Sequence, residues 1–161
     1  METIITVATI LNMFLSAGSN VNSEYFYNAD IVDGQVNAMY VYDRSASGLS
    51  PKLEYRYAYD ALERLTEKEA FAWNEVSKEW EPSYRLTYTY GENSFEVERS
   101  NWDADSHAYK NVDEKAVYLY EFNNLVSVNY LKWSGQDNGF EVVDRMLVLN
   151  PRADLLLAYV K

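Results

Sequence analysis

Residues 73–80 read WNEVSKEW: two tryptophans enclose six residues, of which only Val76 is apolar. The form returns as WDADSHAY over residues 102–109 and as WSGQDNGF over residues 133–140. Each copy is a tryptophan, six mostly polar residues and a second aromatic ring. The leading rings Trp73, Trp102 and Trp133 are 29 and 31 residues apart, and the closing rings Trp80, Tyr109 and Phe140 keep the same spacings. A second feature falls between them. YRYAYD (55–60), YTYGEN (88–93), YLYEFNN (118–124) and VLNPRAD (148–154) each run from strand-like residues into a turn. Tyr57, Tyr88, Tyr118 and Val148 follow one another at 31, 30 and 30 residues. Two features in phase over three periods define an internal repeat.

The physics of the repeat is that of a hairpin. Leu53, Tyr55, Tyr57 and Tyr59 alternate with Glu54, Arg56 and Ala58, and Tyr84, Leu86, Tyr88 and Tyr90 with Arg85, Thr87 and Thr89. Period two with one greasy face is a strand signal. Asp-Ala-Leu-Glu-Arg, Gly-Glu-Asn-Ser, Phe-Asn-Asn and Asn-Pro-Arg-Ala-Asp lie between strands, most of them rich in turn formers. At the opposite end of each hairpin the Trp closes one strand and its aromatic partner opens the next. The two rings can then pair across the antiparallel strands and clamp the loop mouth, worth roughly 0.5–1 kcal/mol beyond burial.

Strands are expected near residues 52–60, 65–74, 80–90, 95–102, 109–121, 125–134, 140–149 and 155–161. A shorter first hairpin is expected from SEYFYNA (23–29) and NAMYVYD (37–43). The fold class is all-β: one antiparallel up-and-down meander of about 8–10 strands built from hairpin repeats, twisted or curled so that its apolar face is covered. Pro82, near a strand start, implies a bulge or an edge.

The chain has 161 residues, enough for a single domain with a real core. Its 15 Tyr, 6 Phe and 4 Trp lean towards pleated, half-buried surface. A net charge of −11, with no run of Lys or Arg, argues against nucleic acid and anionic membranes as partners. Cysteine is absent, so no disulfide staples the fold and no lipid-modified cysteine follows a leader.

Residues 4–17, IITVATILNMFLSA, form the long apolar run. It suits a signal-peptide core better than a membrane span of about twenty residues, and Ser16-Ala17-Gly18 offers small residues for cleavage. Glu2 dissents, since the segment ahead of the run carries no Lys or Arg. Residues 1–18 are read as a signal peptide, residues 22–161 as one β-repeat domain, and the location as secreted or periplasmic. The alternative is a retained N-terminal helix or strand that is buried.

YAYDALERLT (57–66), the Trp-x6-Trp loop and YRLTYTYGEN (84–93) together carry a resemblance. The chain resembles small secreted proteins of gut bacteria in a domain-of-unknown-function family built of tyrosine-rich hairpin repeats. YAYDALERLT is also similar to a YD repeat, with Glu63 where that repeat carries glycine. The resemblance spans about residues 22–161. It implies export and a β-rich fold, and it brings no catalytic or ligand residues.

Chemistry is sparse in the sequence. His107 is the single histidine, it sits in a polar loop, and no G-x-S-x-G accompanies it. Asp103, Asp105 and Ser106 cluster oxygens, and Glu114 falls twelfth from Asp103 as in a calcium loop. His107 and Ala108 stand where that loop needs a ligand and a glycine, so a solvated loop is the better reading. Carboxylate pairs can be drawn among Glu63, Glu67, Glu69, Glu96 and Glu98, but 25 acidic residues guarantee some such pair. No catalytic residue, metal or cofactor is assigned.

The surplus of rings is more suggestive, because Tyr and Trp bury area at little entropic cost and keep a polar handle. The expected role is a non-enzymatic binding or scaffold module that takes protein or glycan on Trp73, Trp80, Trp102, Tyr109, Trp133 and Phe140. The alternatives are a carbohydrate-active hydrolase using a carboxylate pair, and self-association through an apolar edge strand at Leu155, Leu156 and Leu157.

Overall fold

In the computed structural model, residues 5–18, 24–45, 48–121 and 124–147 are described. After one helix, α1 (Val7–Gly18), the chain makes β1 (Tyr25–Val32), β2 (Gln35–Ser45), β3 (Gly48–Tyr59), β4 (Leu65–Asn74) and β5 (Glu79–Tyr90). β6 (Ser94–Asp103), β7 (Ala108–Tyr109), β8 (Glu114–Glu121), β9 (Asn124–Ser134) and β10 (Gly139–Leu147) complete it. The ten strands form a single antiparallel sheet in chain order, with the short β7 on β6, and the sheet does not close into a barrel. The expected meander is therefore the fold. The anticipated strand over 155–161 and the VLNPRAD turn lie outside the described residues.

The repeat is visible in the irregularities of the ladder as well as in its strands. Phe71 faces Pro82 and Ala70 faces Tyr84, so Ser83 is an extra, bulged residue beside the proline. Tyr42 faces Pro51 and Val41 faces Leu53, which makes Lys52 the extra residue one repeat earlier. Val142 faces Leu131 and Asp144 faces Tyr130, so Val143 is the counterpart near the end of the sheet. Positions 52, 83 and 143 leave a gap at 113. There the chain departs from the ladder between β7 and β8, and Asp113 accepts a backbone bond from Trp133 (2.8 Å). The single strand expected over 109–121 is thus two, because the bulge has widened into residues 110–113. A proline cannot donate to the ladder, and a bulge relieves it of that duty at Pro51 and Pro82.

The first hairpin is longer than the sequence reading allowed. β1 and β2 are joined by Asp33 and Gly34 alone, with φ of 52° and 80°. That is the two-residue turn in which both central residues take the left-handed region, as the strand twist favours.

Residues facing each other across an antiparallel pair point to the same side of the sheet, so the register sorts the side chains into two faces. One face holds the core: Val36, Leu65, Tyr88, Phe95 and Tyr120 are buried there with Ile10 of α1. Phe95 is its hub, with ring centres of Tyr88, Tyr90 and Tyr118 at 6.0, 5.1 and 5.4 Å.

Thr6 immediately precedes α1 and bonds reciprocally with Thr9, each hydroxyl meeting the other residue's backbone N–H at 3.2–3.3 Å. Just ahead of it, Leu65 donates to the Ile5 carbonyl (2.7 Å) and Val7 to the Glu63 carbonyl (3.0 Å). In the full chain the N-terminal segment is thus seated on the sheet by main-chain bonds and by Ile10. No helix among the described residues is long and apolar enough to cross a membrane.

Candidate functional site

The six rings singled out from the sequence meet in three pairs. Trp73 faces Trp80, Trp102 faces Tyr109 and Trp133 faces Phe140 in the strand register. The ring centres are 5.0, 5.1 and 5.3 Å apart at 67°, 76° and 78°, the edge-to-face geometry favoured by aromatic quadrupoles. The register puts all three on the face opposite the core and at one end of the sheet. Successive pairs are two strands apart, roughly 10 Å. Trp73, Trp80, Trp102, Tyr109 and Phe140 are half-buried, and Trp133 is 45% exposed.

The loops they clamp share one backbone. The residue five places after each Trp, namely Lys78, His107 and Asn138, has φ of 58°, 50° and 51°. Asn74, first after Trp73, accepts from the Val76 and Ser77 amides through its side chain (2.8 and 3.1 Å), and its own carbonyl accepts from Lys78 (2.9 Å). Asp103 takes the same place after Trp102 and accepts from the Asp105 amide (3.2 Å). Its bond from Ser106 lowers its carboxyl below the usual carboxylate range. The two residues that suggested a calcium loop or a catalytic histidine thus serve the turn: Asp103 as acceptor, His107 as its left-handed residue. Among the described residues no three of His, Asp and Glu converge as a cation site.

A row of cations escaped the sequence reading. Arg85 stacks on Tyr109 (4.5 Å) and Lys115 on Phe140 (4.9 Å), while Arg56 stacks on Phe71 (4.1 Å), which lies on the same face as Trp73. Each is held by a carboxylate: Glu54 on Arg56 at 2.7 Å, Glu67 on Arg85 at 3.6 Å and Glu96 on Lys115 at 3.1 Å. Positions 56, 85 and 115 recur at 29 and 30 residues, so the signal was present in the repeat. Glu67 and Glu96, drawn above as catalytic candidates, are ion-paired within this row, and Glu63 occupies a turn with φ of 59°. Glu54 is only 4% exposed, an acidic side chain buried beside its arginine rather than turned to solvent.

Clefts among the described residues include two over the core face of the sheet, besides a shallow one along α1 at Ala8, Asn12 and Ser16. One, about 390 Å³, lies between α1 and β1–β4. Another, about 250 Å³, is lined by Leu86, Val97 and Tyr118 with Arg99, Glu114 and Lys115. Neither brings two carboxylates together.

Fold and site define an open hairpin-repeat sheet with a ladder of clamped aromatic pairs. The chain belongs to DUF3836, a family of unknown function, which matches residues 1–120. It is similar in structure to a protein of unknown function from Bacteroides fragilis, with 25% identity and a TM-score of 0.69 over 81% of this chain and 96% of that one. It is also similar to a DUF3836 protein from Bacteroides vulgatus, with 31% identity and a TM-score of 0.52 over 54% and 89% of the two chains. A DUF3836 protein from Parabacteroides distasonis shares the fold at 23% identity, with a TM-score of 0.54 over 59% and 89%. No curated protein matches the chain.

Proposed function

We propose that this protein is an exported, non-enzymatic recognition module that takes a protein segment or glycan across Trp73, Trp80, Trp102, Tyr109, Trp133 and Phe140. The observation that supports it is the shared geometry of three half-exposed aromatic pairs on one face and one end of the sheet. An extended polymer crossing the strands would meet ring after ring. Aromatic platforms suit sugars and peptide side chains alike. The test is a glycan array and a peptide array on the full chain, repeated with Trp133→Ala and Trp102→Ala. Binding should weaken at least roughly ten-fold when an anchoring ring goes. Binding that survives both substitutions sinks the reading. Export is checked by locating the protein in cell fractions and sequencing its amino terminus.

A second reading, self-association, has its own support. β10 pairs only with β9 among the described residues, and its Val142, Val143, Met146 and Leu147 are 47–66% exposed. Exposed apolar edges invite strand addition. Light scattering over a range of concentrations decides it: a monomer throughout removes this reading and leaves the first intact.

A further inference from the structure

The cleft between α1 and β1–β4 lies on the face opposite the aromatic clamps and holds a cation without a counterion among the described residues. Its walls are apolar and phenolic, including Met13, Met39, Val41, Leu53, Tyr55 and Tyr57. Into it projects Lys68, in mid-strand β4. Its cross-strand neighbours are Tyr57 and Leu86, and the row continues to another cation, Arg99. The Lys68 ammonium stands 3.8 Å from the centre of the Tyr55 ring and forms no ion pair among the described residues. Lys52, the other cation of the lining, already has Asp43 at 3.2 Å. Burial pulls Lys68 below the usual lysine range, which is the electrostatic sign of a charge left without compensation.

A ring face repays only part of what a desolvated ammonium loses, and a carboxylate repays far more. The volume of about 390 Å³ falls within the roughly 300–1,000 Å³ of small-molecule sites. We propose that this cleft binds a small amphiphile, a carboxylate on an unbranched apolar chain, with Lys68 as its counterion and the methionines and tyrosines around its tail. The floor belongs to β1–β4, and α1 adds only Met13 and Ala17.

Sodium decanoate below its micelle concentration, titrated into the full chain by calorimetry, tests this against decanol, which has the same tail and no charge. Decanoate should bind the native protein roughly ten-fold or more tighter than decanol, and Lys68→Met should abolish that preference while Lys68→Arg keeps it. Equal affinity for the two ligands, or a preference that persists in Lys68→Met, overturns the proposal. Should Lys68→Met fail to fold, the Lys68 side-chain resonance of the native protein decides: it must shift with decanoate and stay put with decanol. Trp102→Ala leaves this cleft untouched, so failure here and failure of the aromatic ladder are separate outcomes.

Discussion

Lys78 and His107 hold a backbone conformation that L-residues avoid, because Cβ then crowds the following carbonyl at a cost of roughly 1–2 kcal/mol. Glu63 does the same in the Asp60–Arg64 turn, where the Asp60 carboxylate accepts from the Leu62 and Arg64 amides. Glycine has no Cβ, so His107→Gly and Glu63→Gly should each stabilise the fold by roughly 0.5–1 kcal/mol, less than the strain because the unfolded chain also gains freedom. Urea unfolding with an unchanged slope checks it, and a lower midpoint contradicts it. The tyrosines give a second residue-scale expectation. Burial raises Tyr57 and pushes Tyr59 and Tyr88 up to about 12. Free phenols titrate near 10, so the protection these rings give is complete below about pH 10 and is lost as pH climbs through about 12. Thermal unfolding followed from pH 8 upwards should hold level to about pH 10 and then fall, and Tyr88→Phe should make that fall shallower.

At the scale of the hairpin, the bulges keep the aromatic clamps on their face. Ser83 is the extra residue that lets Trp80 and Pro82 share a side with Arg85 and Thr87. Deleting it would turn the Trp80 end of β5 over, because a one-residue slip sends every side chain to the other face. Trp80 would lose Trp73, and their 5.0 Å contact would be replaced by an unpaired ring on the core side. The deletion should therefore unfold this hairpin or the whole sheet, whereas Ser83→Ala should be near neutral, since Ser83 is exposed. Circular dichroism with tryptophan emission separates the two. These clamps and turns were legible in the sequence because each lies within one repeat. The break at residues 110–113 was not, since alternation reads on through it and only the partner strands show that the ladder has moved from β7 to β8.

At the scale of the molecule, α1 covers part of the core face. Ile10 is 4% exposed, and it lies with Val36 (0%) and Leu65 (1%), the largest fully buried side chains among the described residues. Ile10→Ala in the full chain should cost roughly 2–4 kcal/mol if α1 is part of the folded protein. A loss below about 0.5 kcal/mol would show that the seat carries little weight, as a removable leader requires. The reading of residues 4–17 from their apolarity alone could not reach this. The property that suits a leader also suits a helix lying on an apolar face.

Periodicity made the strands, the reversals and the pairing of Trp with its aromatic partner readable from the chain, because each depends on residues close together in it. Only the assembled sheet decided which face α1 occupies and that Lys68 stands among rings with no carboxylate paired to it among the described residues. Alternation already put Lys68 in phase with Ala70 rather than with Glu67 and Glu69. The absence of a counterion, however, is a sum over β2, β3, β5 and the helix. Charge is compensated in space, and no local pattern records neighbours that arrive from distant strands.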